Sequence, residues 1–204
     1  MSLEAGALAE PLATAVHSVK VAGVQKGHRV LILGGGTIGI LSAAVARDHG
    51  AETVAITDVF DFNLKTAEDL CGAEPYNVMK INVQDELLKK YPEKFDSVIL
   101  CASAEETLRQ SVALVQRGGR VVVTGMYLKP IPFSFIDITL GEIAMMGSQI
   151  YTDEDFREAL RLLGENVYHF EKIVTHKMPI DKADDALRIL STHSEAAVKI
   201  LLAV

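Results

Sequence analysis

Short apolar runs alternate with longer amphipathic stretches along this chain, and the change of period marks strands and helices. Residues 4–23 put Leu8, Leu12, Val16, Val19 and Val21 on one face and predict one helix. Pro11 should start or kink a segment of it, and Gly23 and Gly27 mark its end. Arg29 to Leu33 is an apolar run that stops at Gly34; a helix over Thr37 to His49 follows, then a strand over Thr53 to Asp58. Asp61 caps a helix running to Leu70 and closed by Gly72. Asn77 to Asn82 predicts a short strand, and Gln84 to Lys90 a short helix broken before Pro92. Phe95 to Cys101 reads as a strand, and Glu105 to Gln116 as a helix with Leu108, Val112 and Val115 on one face. Gly118-Gly119-Arg120 turns into Val121 to Gly125, a strand apolar on both faces. Residues 127–141, with Pro130 and Pro132, read as loop, and Glu142 to Gly147 as a sixth strand. Asp153 to Leu163 is an amphipathic helix begun by Thr152 and ended by Gly164, with Phe156, Leu160 and Leu163 inward. The last stretch reads as strand (Lys172 to Met178), helix (Ile180 to Leu190, opened by Asp181) and strand (Val198 to Val204).

Strands that are apolar on both faces belong in a parallel sheet covered by helices on both sides, with right-handed crossovers. The expected fold is α/β: a doubly wound, six-stranded parallel sheet of Rossmann type, order 3-2-1-4-5-6. An N-terminal helix and a small C-terminal β-α-β tail flank it.

The first strand ends in glycines spaced G-x-G-x-x-G: Gly34, Gly36 and Gly39. Gly34 lets the backbone turn out of the strand, Gly36 lets a pyrophosphate approach the main chain, and Gly39 lets the helix pack close. The free N–H groups at the helix start, at Thr37 and Ile38, suit a diphosphate. Asp58 closes the second strand at the separation where a carboxylate accepts from both adenosine ribose hydroxyls and repels a 2′-phosphate. The expectation is a dinucleotide site that prefers NAD over NADP. Two other readings stay open: a structural glycine turn in another α/β domain, and a methyltransferase that uses a similar turn for a methyl-donor nucleoside. Cys101, Ala102 and Ser103 end the fourth strand, at the crevice where strand order should reverse.

Composition narrows the class. The 204 residues, 49% hydrophobic and 23% charged, suit one large domain or one domain with a small extra. A net charge of -7 argues against nucleic acid and anionic membrane surfaces as partners. The N-terminus has no basic segment of a signal peptide, and no apolar run approaches a membrane span. Cys71 and Cys101 form no CxxC and fit a reducing, cytoplasmic setting as small buried residues. His17 and His176 read as packing or structural residues, and His28, His49, His169 and His193 as surface.

At larger scale the sequence resembles the medium-chain, zinc-dependent alcohol and polyol dehydrogenases, near the sorbitol, butanediol and threonine dehydrogenase group. The resemblance is carried by Glu4 to Leu12, the glycine turn, Thr57-Asp58, Arg117 to Val123, Gly147-Ser148 with Tyr151, and Val174-Thr175-His176 followed by Pro179. It runs from about residue 4 to 204. It implies an N-terminal helix over 1–28, a coenzyme domain over 29–168, and a tail over 169–204 that returns to a GroES-like catalytic domain absent from this sequence. It further implies that Glu10 ligates or neighbours a catalytic zinc, and that Asn63 stands where an adenine-side Arg or Lys is common. Ser103 stands in place of the usual glycine. Main-chain groups of Thr124, Gly125 and Met126 resemble those that hold the nicotinamide carboxamide, and Ser148, Gln149 and Ile150 match the segment flanking the ring, with Gln149-Ile150 replacing a common Phe-Arg. In the family, zinc binds the alcohol oxygen and hydride passes to NAD. This sequence is expected to bind NAD(H), to hold no zinc by itself and to turn over little. The alternatives are a module that senses or stores NAD, one that needs a partner chain carrying the zinc domain, or a dimer unit pairing through the 142–147 strand.

Overall fold

Arg29–Leu33 (β1) forms the centre of the sheet in the computed structural model, which describes residues 2–203. Thr53–Asp58 (β2) and Phe95–Leu100 (β4) flank it, with Glu74–Asn77 (β3) beyond β2, and Val115–Val123 (β5) and Ala144–Gly147 (β6) beyond β4. All five pairings are parallel and the order is 3-2-1-4-5-6, as expected. Alternation along β1 divides the core. Val30 and Ile32 face one helical layer with Ile56, Ile99 and Val122; Leu31 and Leu33 face the other with Val98, Leu100 and Val121.

The first layer holds Ala9–Val21 (α2), Thr37–Asp48 (α3), Asp61–Cys71 (α4) and Asp153–Glu165 (α8). The second holds Val83–Lys90 (α5), Glu105–Leu114 (α6) and the short Ile136–Gly141 (α7). Leu3–Gly6 (α1) precedes α2, so the single helix expected over 4–23 is two, and Pro11 lies in the first turn of the second, where its missing N–H costs nothing. Other expectations need correction too: α6 stops at Leu114, and the strand expected to begin at Val121 already begins at Val115. The third strand is 74–77, not 77–82: it takes its register from β2, and Asn77 Oδ1 then accepts from Met79 N (2.8 Å) to turn the chain. Residues 136–141 are helical despite the prolines before them. Helix α8 runs through Gly164 and ends at Asn166, in the left-handed region at φ +52.

The tail holds Val174–Pro179 (β7), Ala183–Thr192 (α9) and Lys199–Ala203 (β8), with 3-10 turns at Phe170–Ile173 and Ile180–Lys182. Strands β7 and β8 pair in parallel as a separate two-stranded sheet. Phe170, Ile173 and Val198 join the first core layer, and Lys177 Nζ reaches Glu4 Oε1 at 2.7 Å. No helix among the described residues is long and apolar enough to cross a membrane.

Candidate functional site: a crevice at the ends of β1, β4 and β5

Strand order reverses between β1 and β4, and the loops after the strands part there to leave a crevice. The glycine turn forms its floor. Gly34 has φ +109, and a Cβ on it would meet Ala102 N at 2.7 Å. A Cβ on Gly39 would sit 1.8 Å from Gly34 O, so only glycine allows α3 to approach β1 this closely. Gly36 faces open space. No side chain caps α3, whereas Thr152 and Asp155 form a complete capping box on α8. The first N–H groups of α3, including those of Thr37 and Ile38, therefore carry no side-chain cap.

Asp58 stands beside the turn. Its Oδ2 accepts from Gly35 N (2.7 Å), and its Oδ1 from Phe60 N (2.8 Å) and Asn63 Nδ2 (3.2 Å). Three donors thus fix the carboxylate at the wall of a hollow of about 230 Å3 that Gly34 and Ala102 also line. Asn63 is buried at 8% exposure, with its Oδ1 unpartnered. It donates to Asp58 and is not among the residues that line the hollow. His193, from the tail, packs against Phe60 with ring centroids 4.6 Å apart.

On the other side of the turn lies a hollow of about 690 Å3 lined by Ile38, Thr124, Gly125, Met126, Ser148, Gln149 and Ile150, with Glu10 and Thr14 of α2 at its rim. The residues singled out after β5 and β6 therefore share one cavity. Ser103 is exposed, and a Cβ on Gly125 would meet its Oγ at 2.9 Å, so the β4 and β5 loops abut. Cys101 lies beneath the floor, where burial pushes its thiol up to about 12; burial likewise pushes Cys71 up to about 11. Neither is a nucleophile in that state. Thr37 faces the tail, donating from Oγ1 to Val198 O (2.9 Å). A third hollow, of about 590 Å3 beside Lys94, Arg109 and Arg117, holds none of the expected site residues.

Glu10 is exposed and stands alone. Among the described residues no group of three or more His, Cys, Asp or Glu is placed to hold a metal ion. A catalytic zinc needs three protein ligands, so the residues described here do not fit one. His17 is not a packing residue: its Nδ1 lies 2.8 Å from Asp155 Oδ2, while Lys20 Nζ lies 2.8 Å from Oδ1. Asp155 is legible as the third residue of a helix capped by Thr152, but its partners on α2 lie more than a hundred residues away in sequence. His28 and His49 are half-buried rather than on the surface, and burial pushes His49 down. His169 and His193 are exposed as expected. His176 Nε2 lies 3.2 Å from Glu195 Oε2.

The model of the family described as zinc-binding dehydrogenase matches residues 37–165, which run from the start of α3 and include Gly39, the acid and the ends of β4, β5 and β6. The chain belongs to this family. These zinc-binding dehydrogenases are the medium-chain alcohol and polyol enzymes whose motifs the sequence carries. The chain is 32% identical to the D-xylulose reductase of Scheffersomyces stipitis over 99% of its own length and 58% of that protein. The structure of 2R,3R-butanediol dehydrogenase from Bacillus subtilis superposes with a TM-score of 0.91 at 26% identity, over 100% of this chain and 58% of that one. A Sinorhizobium meliloti 1021 relative, bound to NADP, gives 0.89 at 29%, over 98% and 59%. The chain thus spans under two thirds of the length of these dehydrogenases.

Proposed function

We propose that this chain is the NAD(H)-binding part of an alcohol or polyol dehydrogenase that moves hydride between a secondary alcohol and NAD. The observation that carries the reading is the Asp58 carboxylate, fixed by Gly35, Phe60 and Asn63 beside an uncapped helix start. The α3 N–H groups bind the diphosphate. Asp58 accepts from the adenosine ribose hydroxyls in the smaller hollow, and its charge disfavours a 2′-phosphate. Ile38, Thr124, Gly125, Met126 and Ser148 flank the nicotinamide in the larger one. When bound, NAD supplies the hydride acceptor; the chain's own residues bind and orient it.

A second reading is a non-catalytic NAD-binding module that needs a partner chain for the zinc site. It is favoured by the apolar hollow of about 300 Å3 between α1 and β8, where Leu3 is 93% and Leu202 39% exposed.

Fluorescence titration with NADH and NADPH tests the first reading. Micromolar NADH binding, with NADPH at least about tenfold weaker, is expected, and Asp58→Ser should erase most of that difference; charge juxtaposition of this kind is worth more than about 1 kcal/mol. Equal binding of the two by the native chain would sink the role of Asp58. Zinc-dependent polyol oxidation by the chain together with a second chain, and not without it, would favour the partner reading.

A further inference from the structure

Behind the larger hollow, three hydroxyls meet. Ser18 of α2 is fully buried, and its Oγ donates to Thr14 O at 2.9 Å. The same oxygen lies 3.1 Å from Thr124 Oγ1, at the end of β5, and 3.1 Å from Ser148 Oγ, at the end of β6. A serine hydroxyl has one proton and two lone pairs. Since that proton goes to a backbone carbonyl, Ser18 is an acceptor toward both neighbours, and Thr124 and Ser148 each turn their own proton inward to it. Both side chains then present only lone pairs to the cavity they line.

We infer that Ser18 is a positioning residue that makes Thr124 and Ser148 acceptors, so that the cavity selects a ring bearing a carboxamide N–H2 and rejects one bearing a carboxylate. The inference rests on the dinucleotide reading and names the chemistry of its ring end. A carboxamide donates two protons; a carboxylate donates none and would face two aligned oxygens. Ser18 does not line the cavity itself, so its effect passes through Thr124 and Ser148. No proton is relayed along the set, because it ends on the Thr14 carbonyl.

The test compares three ligands by calorimetry: NAD, its nicotinic-acid analogue (nicotinic acid adenine dinucleotide) and ADP-ribose, which has no ring. The native chain should prefer NAD over the acid analogue by about tenfold or more. Ser18→Ala frees both hydroxyls to rotate and should cut that preference about fivefold, the scale of one net hydrogen bond. ADP-ribose affinity should not change. An unchanged preference in Ser18→Ala, or an equal loss for all three ligands, overturns the inference and leaves the dinucleotide reading in place. Failure of the native chain to bind either ADP-ribose or NAD overturns that reading and this one with it. If Ser18→Ala does not fold, Thr124→Val removes one of the two acceptors at a half-exposed position. It should reproduce the selective loss, and an intact preference there overturns the inference.

Discussion

Ile150 is a β-branched residue at φ +57, a region such side chains rarely enter, and it lies on the wall of the larger hollow at 56% exposure. Strain of this kind costs about 1–3 kcal/mol and persists where neighbouring structure over-determines it. Ile150→Gly should therefore raise the thermal midpoint by several degrees, equivalent to about 1 kcal/mol, read by calorimetric unfolding. A lower midpoint would mean that the isoleucine side chain packs well enough to outweigh the strain. At this scale the sequence was most informative for backbone chemistry. Gly34 and Gly39 each meet the steric constraint their spacing implies, because a missing Cβ acts locally. It was least informative for Asn63 and Ser18, whose partners are fixed only when separate loops come together.

Helices α2 and α8 are joined by the Asp155 network as well as by apolar contact. Burial alone would push the Asp155 carboxyl up, but hydrogen bonds from Lys20, Thr152 and His17 outweigh it and hold the group well below its usual range. A carboxyl lowered in the fold contributes its full stabilisation at pH values above its unfolded pKa of about 3.9, and that contribution drains away as pH falls from there through the lower folded value. Asp155→Asn should cost about 2 kcal/mol at pH 7, and the gap to the native chain should begin to narrow below about pH 4 and keep narrowing as the pH falls further. Urea midpoints measured across that range decide it; a gap independent of pH would refute the charged network. Periodicity marked both segments as helical, although it merged α1 with α2 and stopped α8 short, and the link between α2 and α8 was invisible. Strand β3 shows the reverse failure: the apolar residues Val78, Met79 and Ile81 drew the expectation to 77–82, while the strand that pairs with β2 contains Glu74 and Pro75. Pairing with a neighbour overrides local propensity there. Likewise Pro130 and Pro132 hid α7, which begins only after both.

Across the whole molecule, β6 is the outer strand of the sheet, pairing only with β5 among the described residues. In the segment that leads to it, Phe135 and Leu140 are 69% and 68% exposed. An apolar edge of this kind invites pairing with a second copy. Light scattering should find a dimer for the native chain and a monomer, or aggregate, for Met145→Lys; an unchanged dimer would move the interface elsewhere. Near the middle of the sheet, at the start of α3, the hydrogen bond from Thr37 to Val198 joins the glycine turn to a tail that starts more than a hundred residues later. One contact shared by two events makes them thermodynamically reciprocal: a ligand that favours the docked tail is favoured by it in equal measure. Amide exchange along Lys199–Ala203 should therefore slow when dinucleotide occupies the crevice, and that slowing should shrink in Thr37→Val. The end of the chain then acts as a gauge of whether its beginning is filled.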